Sequence, residues 1–178
     1  MPFARAARSP PCSTANCAEK AAPRYLAPLR PIRMRVRTIP PESTYPLRRL
    51  VLRNNDPDAV VIWPGDGHPE GFHLGAFIKG QCVCVASFRP ETPPLLQGPM
   101  PYRLRGMATH PDHQGAGIGS ALLRSAISML RERQAGLLWC NAREVALAFY
   151  GRAGFRTEGE PFLIEGIGMH HFMYLALG

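Results

Sequence analysis

The chain has 178 residues, 46% of them apolar, enough for one domain with a single core and some additional chain but not for two large domains. Its formal charge of +8 raises nucleic acid as a partner, yet residues 1–37 carry eight bases against Glu19 alone and leave only +1 for the rest, so the charge belongs to a tail rather than to a folded nucleic-acid-binding face. No apolar run reaches the roughly 20 residues of a membrane helix, no secretory signal opens the chain, and the five cysteines fit neither an even disulfide set nor a zinc spacing, which together predict a soluble cytoplasmic protein without a metal.

Residues 1–31 are Ala, Pro, Arg and Ser with Cys12, Cys17 and no apolar period, which predicts a disordered or extended basic tail. An organelle transit segment and a true initiator at Met34 are the other readings of the same residues, and the domain proper is expected at 32–178. Met34, Val36 and Thr38 alternate with Arg33, Arg35 and Arg37, as in a half-buried edge strand. A helix is expected next, capped by Ser43 or Thr44, with Pro46 in its first turn and Leu47, Leu50 and Val51 as its apolar stripe. Residues 54–71 read as loop around a short apolar run at 60–63. Strands at 72–78 and 82–88 form a hairpin across a turn at 79–81, with Cys82 and Cys84 buried on one strand face. Beyond the Pro-rich 90–101 loop come a strand at 102–109, a helix at 117–134, a strand at 137–140, a helix at 143–153, and strands at 155–162 and 169–175. Helices interspersed with strands around one sheet give an α/β (α+β) fold.

The chemistry lies where the 102–109 strand meets the following helix. There the chain reads His110-Pro111-Asp112-His113-Gln114-Gly115-Ala116-Gly117-Ile118-Gly119-Ser120, and then Leu122, Leu123, Ala126, Ile127 and Leu130 recur at helical spacing. The first N–H groups of a helix have no intrahelical partner and carry partial positive charge, so they suit a diphosphate. Gly115, Gly117 and Gly119 keep side chains out of its way. A dinucleotide-binding G-x-G-x-x-G starting at Gly115 meets Ser120 at its last glycine, and the Gly-Lys-Ser/Thr of a P-loop is missing. What the residues spell is Gln/Arg-x-x-Gly-x-Gly/Ala, on Gln114, Gly117 and Gly119.

This segment resembles the acetyl-CoA signature of the GNAT N-acetyltransferase superfamily, and the resemblance extends over about residues 72–175. It implies a mixed, mostly antiparallel sheet of about six to seven strands flanked by helices, and acetyl-CoA as co-substrate on Gln114, Gly115, Ala116, Gly117, Ile118, Gly119 and Ser120. Met107-Ala108-Thr109-His110-Pro111 is similar to the family's Leu-Ala-Val-x-Pro. The similarity implies that the backbone of Met107, Ala108 and Thr109, splayed from the next strand, pairs with the pantetheine arm. Phe149-Tyr150-Gly151-Arg152-Ala153-Gly154-Phe155 looks like Tyr-x-x-x-Gly-Phe, which makes Tyr150 the candidate acid beside the cofactor sulfur. Its alternative is a tyrosine that packs helix on sheet. Asn141 reads either as the cap of the 143–153 helix, with Glu144 completing a capping box, or as a pantetheine contact. The family's asparagine more often stands seven positions before the tyrosine, where this chain has Arg143. Residues 165–173 are similar to a Gly-Ile-Pro-His-x-x-Met ending, which makes His170 a catalytic candidate, against a solvent-facing strand histidine.

The implied reaction is direct attack of an uncharged primary amine, on a small molecule or peptide, within a ternary complex. The 102–109 strand offers no carboxylate, so His73, His110, His170 or water must take the amine's proton. Cys140 reads as a buried strand residue rather than an acyl carrier. A CoA-binding sensor without turnover is the alternative function. Acceptor choice is expected from residues 45–71 and 90–101, where Asp56, Asp58, Asp66 and Glu70 hint at a cationic acceptor; nucleic acid and membrane are not expected, and a homodimer stays open.

Overall fold

The computed structural model describes residues 34–178, so the expected tail at 1–31 lies outside the described residues. Eight strands form one sheet: β1 (Met34–Ile39), β2 (Phe72–Ile78), β3 (Gln81–Pro90), β4 (Pro101–Thr109), β5 (Leu137–Arg143), β6 (Arg156–Thr157), β7 (Phe162–Ile164) and β8 (Gly168–Ala176). Their order is β1-β2-β3-β4-β5-β8-β6, with β7 also on β8, and among the described residues β4–β5 is the one parallel pair. The expected edge strand is β1, and the β2–β3 hairpin turns on Lys79 and Gly80, both at positive φ.

Among the described residues three α-helices accompany the sheet: α1 (Tyr45–Leu47), α2 (Ile118–Glu132) and α3 (Leu147–Arg152). A 3-10 turn (Pro41–Thr44) leads into α1 and a π turn (Arg48–Leu52) leaves it. Thr44 caps nothing: its hydroxyl donates back to the Pro41 carbonyl at 2.6 Å, and the side chain is fully buried. The α2 stripe of Ile118, Leu122, Leu123, Ala126 and Leu130 packs on Leu74, Ala76, Phe88, Leu104, Leu138 and Met173 to make the main core. Each fully buried leucine there contributes about 2 kcal/mol. The opposite face carries a smaller cluster of Leu47, Val85 and Ala108, covered by Leu50, Val51 and Leu52.

Two sequence expectations are corrected at the carboxy-terminal end. The 155–162 strand is two strands, because Gly159 at φ +72 and Pro161, which has no N–H, interrupt the ladder on β8. The 143–153 helix starts later, because β5 continues through Asn141, Ala142 and Arg143, which pair with Phe172, His171 and His170. Asn141 is therefore a strand residue and not a helix cap. A third correction concerns the cysteines. A register shift after Ala76 sets Cys82 opposite Phe77, so Val83 and Cys84 both enter the main core while Cys82 packs against the smaller cluster on the other face.

Candidate active site

β4 and β5 pair for three residues, from Pro101↔Leu137 to Arg103↔Trp139, and then part. The cause is a bulge: Ser87 pairs with Arg105 and Val85 with Ala108, so Gly106 and Met107 stand against Ala86 alone and β4 bends away. Only glycine fits at 106. Its φ is +62, and an added Cβ would stand 2.5 Å from the Trp63 ring. The V between the strands opens into a cavity of about 760 Å³ that passes through the sheet.

On the α2–α3 side the cavity is lined by Met107, Thr109, Gln114, Gly115, Gly117, Ile118, Gly119 and Ser120, together with Tyr150; Ala108 and Ala116 do not line it. Ala108 is buried in the smaller cluster with Leu47 and Val85. Gly117 stands at the N-cap of α2 with φ +76, and no side chain caps the helix. A Cβ at Gly115 or Gly117 would meet no protein atom within 4 Å, so the first turn presents bare N–H groups to open space. Gln114 does not reach outward. Its amide nitrogen donates to the Thr109 carbonyl at 3.1 Å and ties the loop to the end of β4.

Tyr150 is buried, its hydroxyl 3.8 Å from the Met107 sulfur and its ring against Phe149 and Phe155. Burial, then the neighbouring Cys140 and Cys84, holds its phenol well above the ordinary 10. The hydroxyl therefore keeps its proton throughout the physiological range. His170 is buried, not solvent-facing: it lines the cavity, and its Nδ1–H donates to the Gly168 carbonyl at 2.8 Å. In the neutral ring that bond leaves the Nε2 lone pair free. Cys140 and Asn141 also line the cavity, from opposite faces of β5. Burial pushes the Cys140 thiol up, away from thiolate character.

His73 and His110 do not reach the cavity. His73 Nε2–H donates to the Asp66 carbonyl at 2.9 Å and its Nδ1 accepts from Ser87 at 2.6 Å, which occupies both nitrogens. The same hydroxyl oxygen accepts from Arg48 at 2.6 Å. His110 caps the turn before the glycine loop, its Nδ1 accepting from the Asp112 N–H.

Beyond the gap, the second face is assembled by a group the sequence did not reveal. Arg48, fully buried, makes a bidentate pair with Asp66 at 2.6 and 2.8 Å and stacks 4.2 Å from the Trp63 ring centroid. Asp66 in turn accepts the Trp63 N–H at 2.9 Å. Burial works to raise the Asp66 carboxyl, but the Arg48 and Trp63 hydrogen bonds and the Arg48 charge outweigh it and hold the group below its usual range. Trp63, so fixed, lines the cavity beside Arg53, Arg105 and Arg143. Of the acids that hinted at a cationic acceptor, Asp66 is consumed by Arg48, and no Asp or Glu stands among the described residues lining the cavity. A signal for Arg48 existed, since Thr44, Leu47, Arg48 and Val51 share one helical stripe, but the residue type argued against burial.

Comparison with known proteins accords with this geometry. Residues 35–155 match the model of the Acetyltransferase (GNAT) family. The chain is 41% identical over 145 residues to the uncharacterized N-acetyltransferase YitI of Bacillus subtilis (strain 168), covering 81% of this chain and 97% of that protein. Among solved structures, Escherichia coli ElaA superposes with a TM-score of 0.65 at 16% identity, over 80% of this chain and 99% of its own. The Escherichia coli ribosomal-protein-S18-alanine N-acetyltransferase superposes with a TM-score of 0.62 at 18% identity, over 82% and 94%. The chain belongs to the GNAT family and is an acyltransferase, of a family that uses acetyl-CoA and acts on amines. No helix among the described residues is long and apolar enough to cross a membrane, and no three of their His, Cys, Asp and Glu side chains gather as a metal site.

Proposed function

We propose that this chain transfers an acetyl group from acetyl-CoA to a primary amine by direct attack in a ternary complex. The observation that carries the proposal is the gap between β4 and β5, ending at the uncapped, glycine-lined start of α2. The residues fit the co-substrate. Bare N–H groups at Gly117, Ile118, Gly119 and Ser120 suit a diphosphate, and the unpaired edge of β4 from Met107 to Thr109 offers backbone donors and acceptors along the gap. Acetyl-CoA, when bound, supplies an activated thioester.

In the balanced reaction one N–C bond replaces one C–S bond, one proton leaves the amine, and one arrives at sulfur. His170 Nε2 accepts the first proton, directly or through water. Tyr150 serves the second as a hydrogen-bond donor. Full transfer from a phenol held above 10 to a thiolate whose conjugate thiol titrates near 8.5 runs uphill, so its contribution is donation to developing negative charge. Cys140, buried as the thiol, is not needed as an acyl carrier.

Acetyl-CoA at 100 times its Kd should add about 2.7 kcal/mol and raise Tm by about 5–10 °C. Absence of any shift at millimolar acetyl-CoA removes the basis of the reading. Tyr150→Phe should lower kcat about ten- to hundredfold while the acetyl-CoA shift is kept. An unchanged kcat would return Tyr150 to a packing role, and a full shift without turnover on any amine would favour the sensor.

A further inference from the structure

We infer that the acceptor amine carries a carboxylate, as an amino acid does, and that Arg105 and Arg143, with Arg53 beside them, bind it on the face of the sheet opposite α2 and α3. This rests on the acetyltransferase reading of the same cavity and adds the class of acceptor.

The three guanidinium groups are linked through shared neighbours, Trp63 and the Leu52 carbonyl. Arg105 and Arg53 stand 5.0 and 5.9 Å from the Trp63 ring centroid, and Arg53 and Arg143 both donate to the Leu52 carbonyl, at 3.4 and 3.0 Å. All three line the cavity, and none takes part in an ion pair among the described residues. Their neighbours are treated differently. Arg48 is matched by Asp66, and Arg89 and Arg103 share Glu91. Unmatched like charges crowded into one cavity repel, and a bound anion relieves that repulsion. Burial, then the charges of Arg103 and Arg89, with Arg48 as well, bring Arg105 down to about 10 against the opposing pull of Glu91, and burial, then Arg53, lowers Arg143.

The position separates this anion from the cofactor's phosphates. Arg105 is four residues before Thr109, at most about 13 Å along the strand from it at roughly 3.3 Å per residue, with the bulge at Gly106 and Met107 between them. On β5, Cys140 and Ala142 face the main core with α2, so Arg143 faces away from it, beside its cross-strand partner His170. A carboxylate held at Arg143 therefore places the attached amine near the base. Two guanidinium forks suit a carboxylate better than a lone charge would, because each presents paired donors to two oxygens.

The test uses glycine, methionine, phenylalanine and glutamate, each against its own α-carboxamide, which keeps the amine and removes the α-carboxylate. Thiol release from acetyl-CoA gives kcat/KM, and calorimetry on the CoA-loaded full chain gives binding without turnover. The best acid should exceed its amide by about tenfold or more in both. Arg105→Gln and Arg143→Gln should each shrink that ratio about tenfold, whereas Arg105→Lys should retain part of it, and binding of the acid should weaken with salt. Folding is read from the thermal midpoint of each variant. Equal handling of acids and amides in both assays overturns the inference, as does a loss of acetyl-CoA affinity in Arg105→Gln with the ratio intact, which would assign the arginines to the cofactor's phosphates. Preferential binding of acids without acetylation of any amine supports the carboxylate site and sinks the acetyltransferase reading instead.

Discussion

The two faces of the sheet meet at one gap and are built by different means. On the α2–α3 side, the features proposed to hold the co-substrate are main-chain ones: a bulged strand, an uncapped helix start and three glycines at positive φ, all within residues 106–120. On the other side, the groups proposed to bind the acceptor and their supports are side chains drawn from residues 48, 53, 63, 66, 105 and 143, which only the tertiary fold brings together. The first arrangement is local and tolerates changes of side chain away from its glycines. The second has a hierarchy, in which Asp66 fixes Arg48 and Trp63, and Trp63 positions the cavity arginines, so damage at its buried root spreads outward.

The largest effect should follow from cutting that root. Asp66→Ala leaves the Arg48 guanidinium buried and uncompensated, and unfolding in urea should show a loss of about 3–5 kcal/mol. A loss under about 1 kcal/mol would mean that Arg48 finds water or another acceptor, and that the second face is not organised from Asp66. Acid should act in the same direction. The Asp66 carboxyl is held below its unfolded value of 3.8, so its contribution is present above that pH and disappears as pH falls through the folded value.

Alkali should attack the opposite face. Burial pushes the Cys84 thiol up to about 11, against a bond from Thr109, and pushes the Cys140 thiol higher, while the unfolded chain releases both protons near 9. Between those limits the folded state binds more protons than the unfolded state. Stability is therefore intact below about pH 9 and falls as pH rises, by about 2 kcal/mol from pH 9.5 to 10.5 for the two thiols together. Cys140→Ala should remove about half of that slope whatever it does to stability at pH 7. An unchanged slope would show that the Cys140 thiol is not as enclosed as the α2–α3 packing makes it.

Legibility in the sequence follows the same division. The strand-turn-helix at 102–120 is legible because its donors are main-chain groups and glycines mark where they stand, whereas Tyr150 stands out only through the resemblance of residues 149–155 to the family's Tyr-x-x-x-Gly-Phe. Asn141 was misplaced because capping and strand patterns overlap there. The alternation Leu138, Cys140, Ala142 toward the core shows the strand continuing, but it needs β8 opposite to decide. The arginine face was missed altogether. Net charge near neutrality over the folded part averages away a local excess, and Arg53, Arg105 and Arg143 are separated by 52 and 38 residues in a chain where nothing local binds them.

The smallest of these effects tests the local face most directly. At Gly117 the backbone stands at φ +76, where an L side chain costs about 1–2 kcal/mol, and an added Cβ would meet no protein atom. Gly117→Ala should thus lower stability by about 1 kcal/mol without disturbing the core. Its methyl group would stand in the open space before the first N–H groups of α2, so acetyl-CoA should bind about tenfold or more weakly by calorimetry. The two numbers separate strain from obstruction: strain alone lowers the urea midpoint and leaves Kd within about twofold, because the loop still presents its donors. Equal affinity in Gly117→Ala and the native chain would mean that the diphosphate is not held at this turn, and that the main-chain face is a structural corner rather than the grip on the co-substrate.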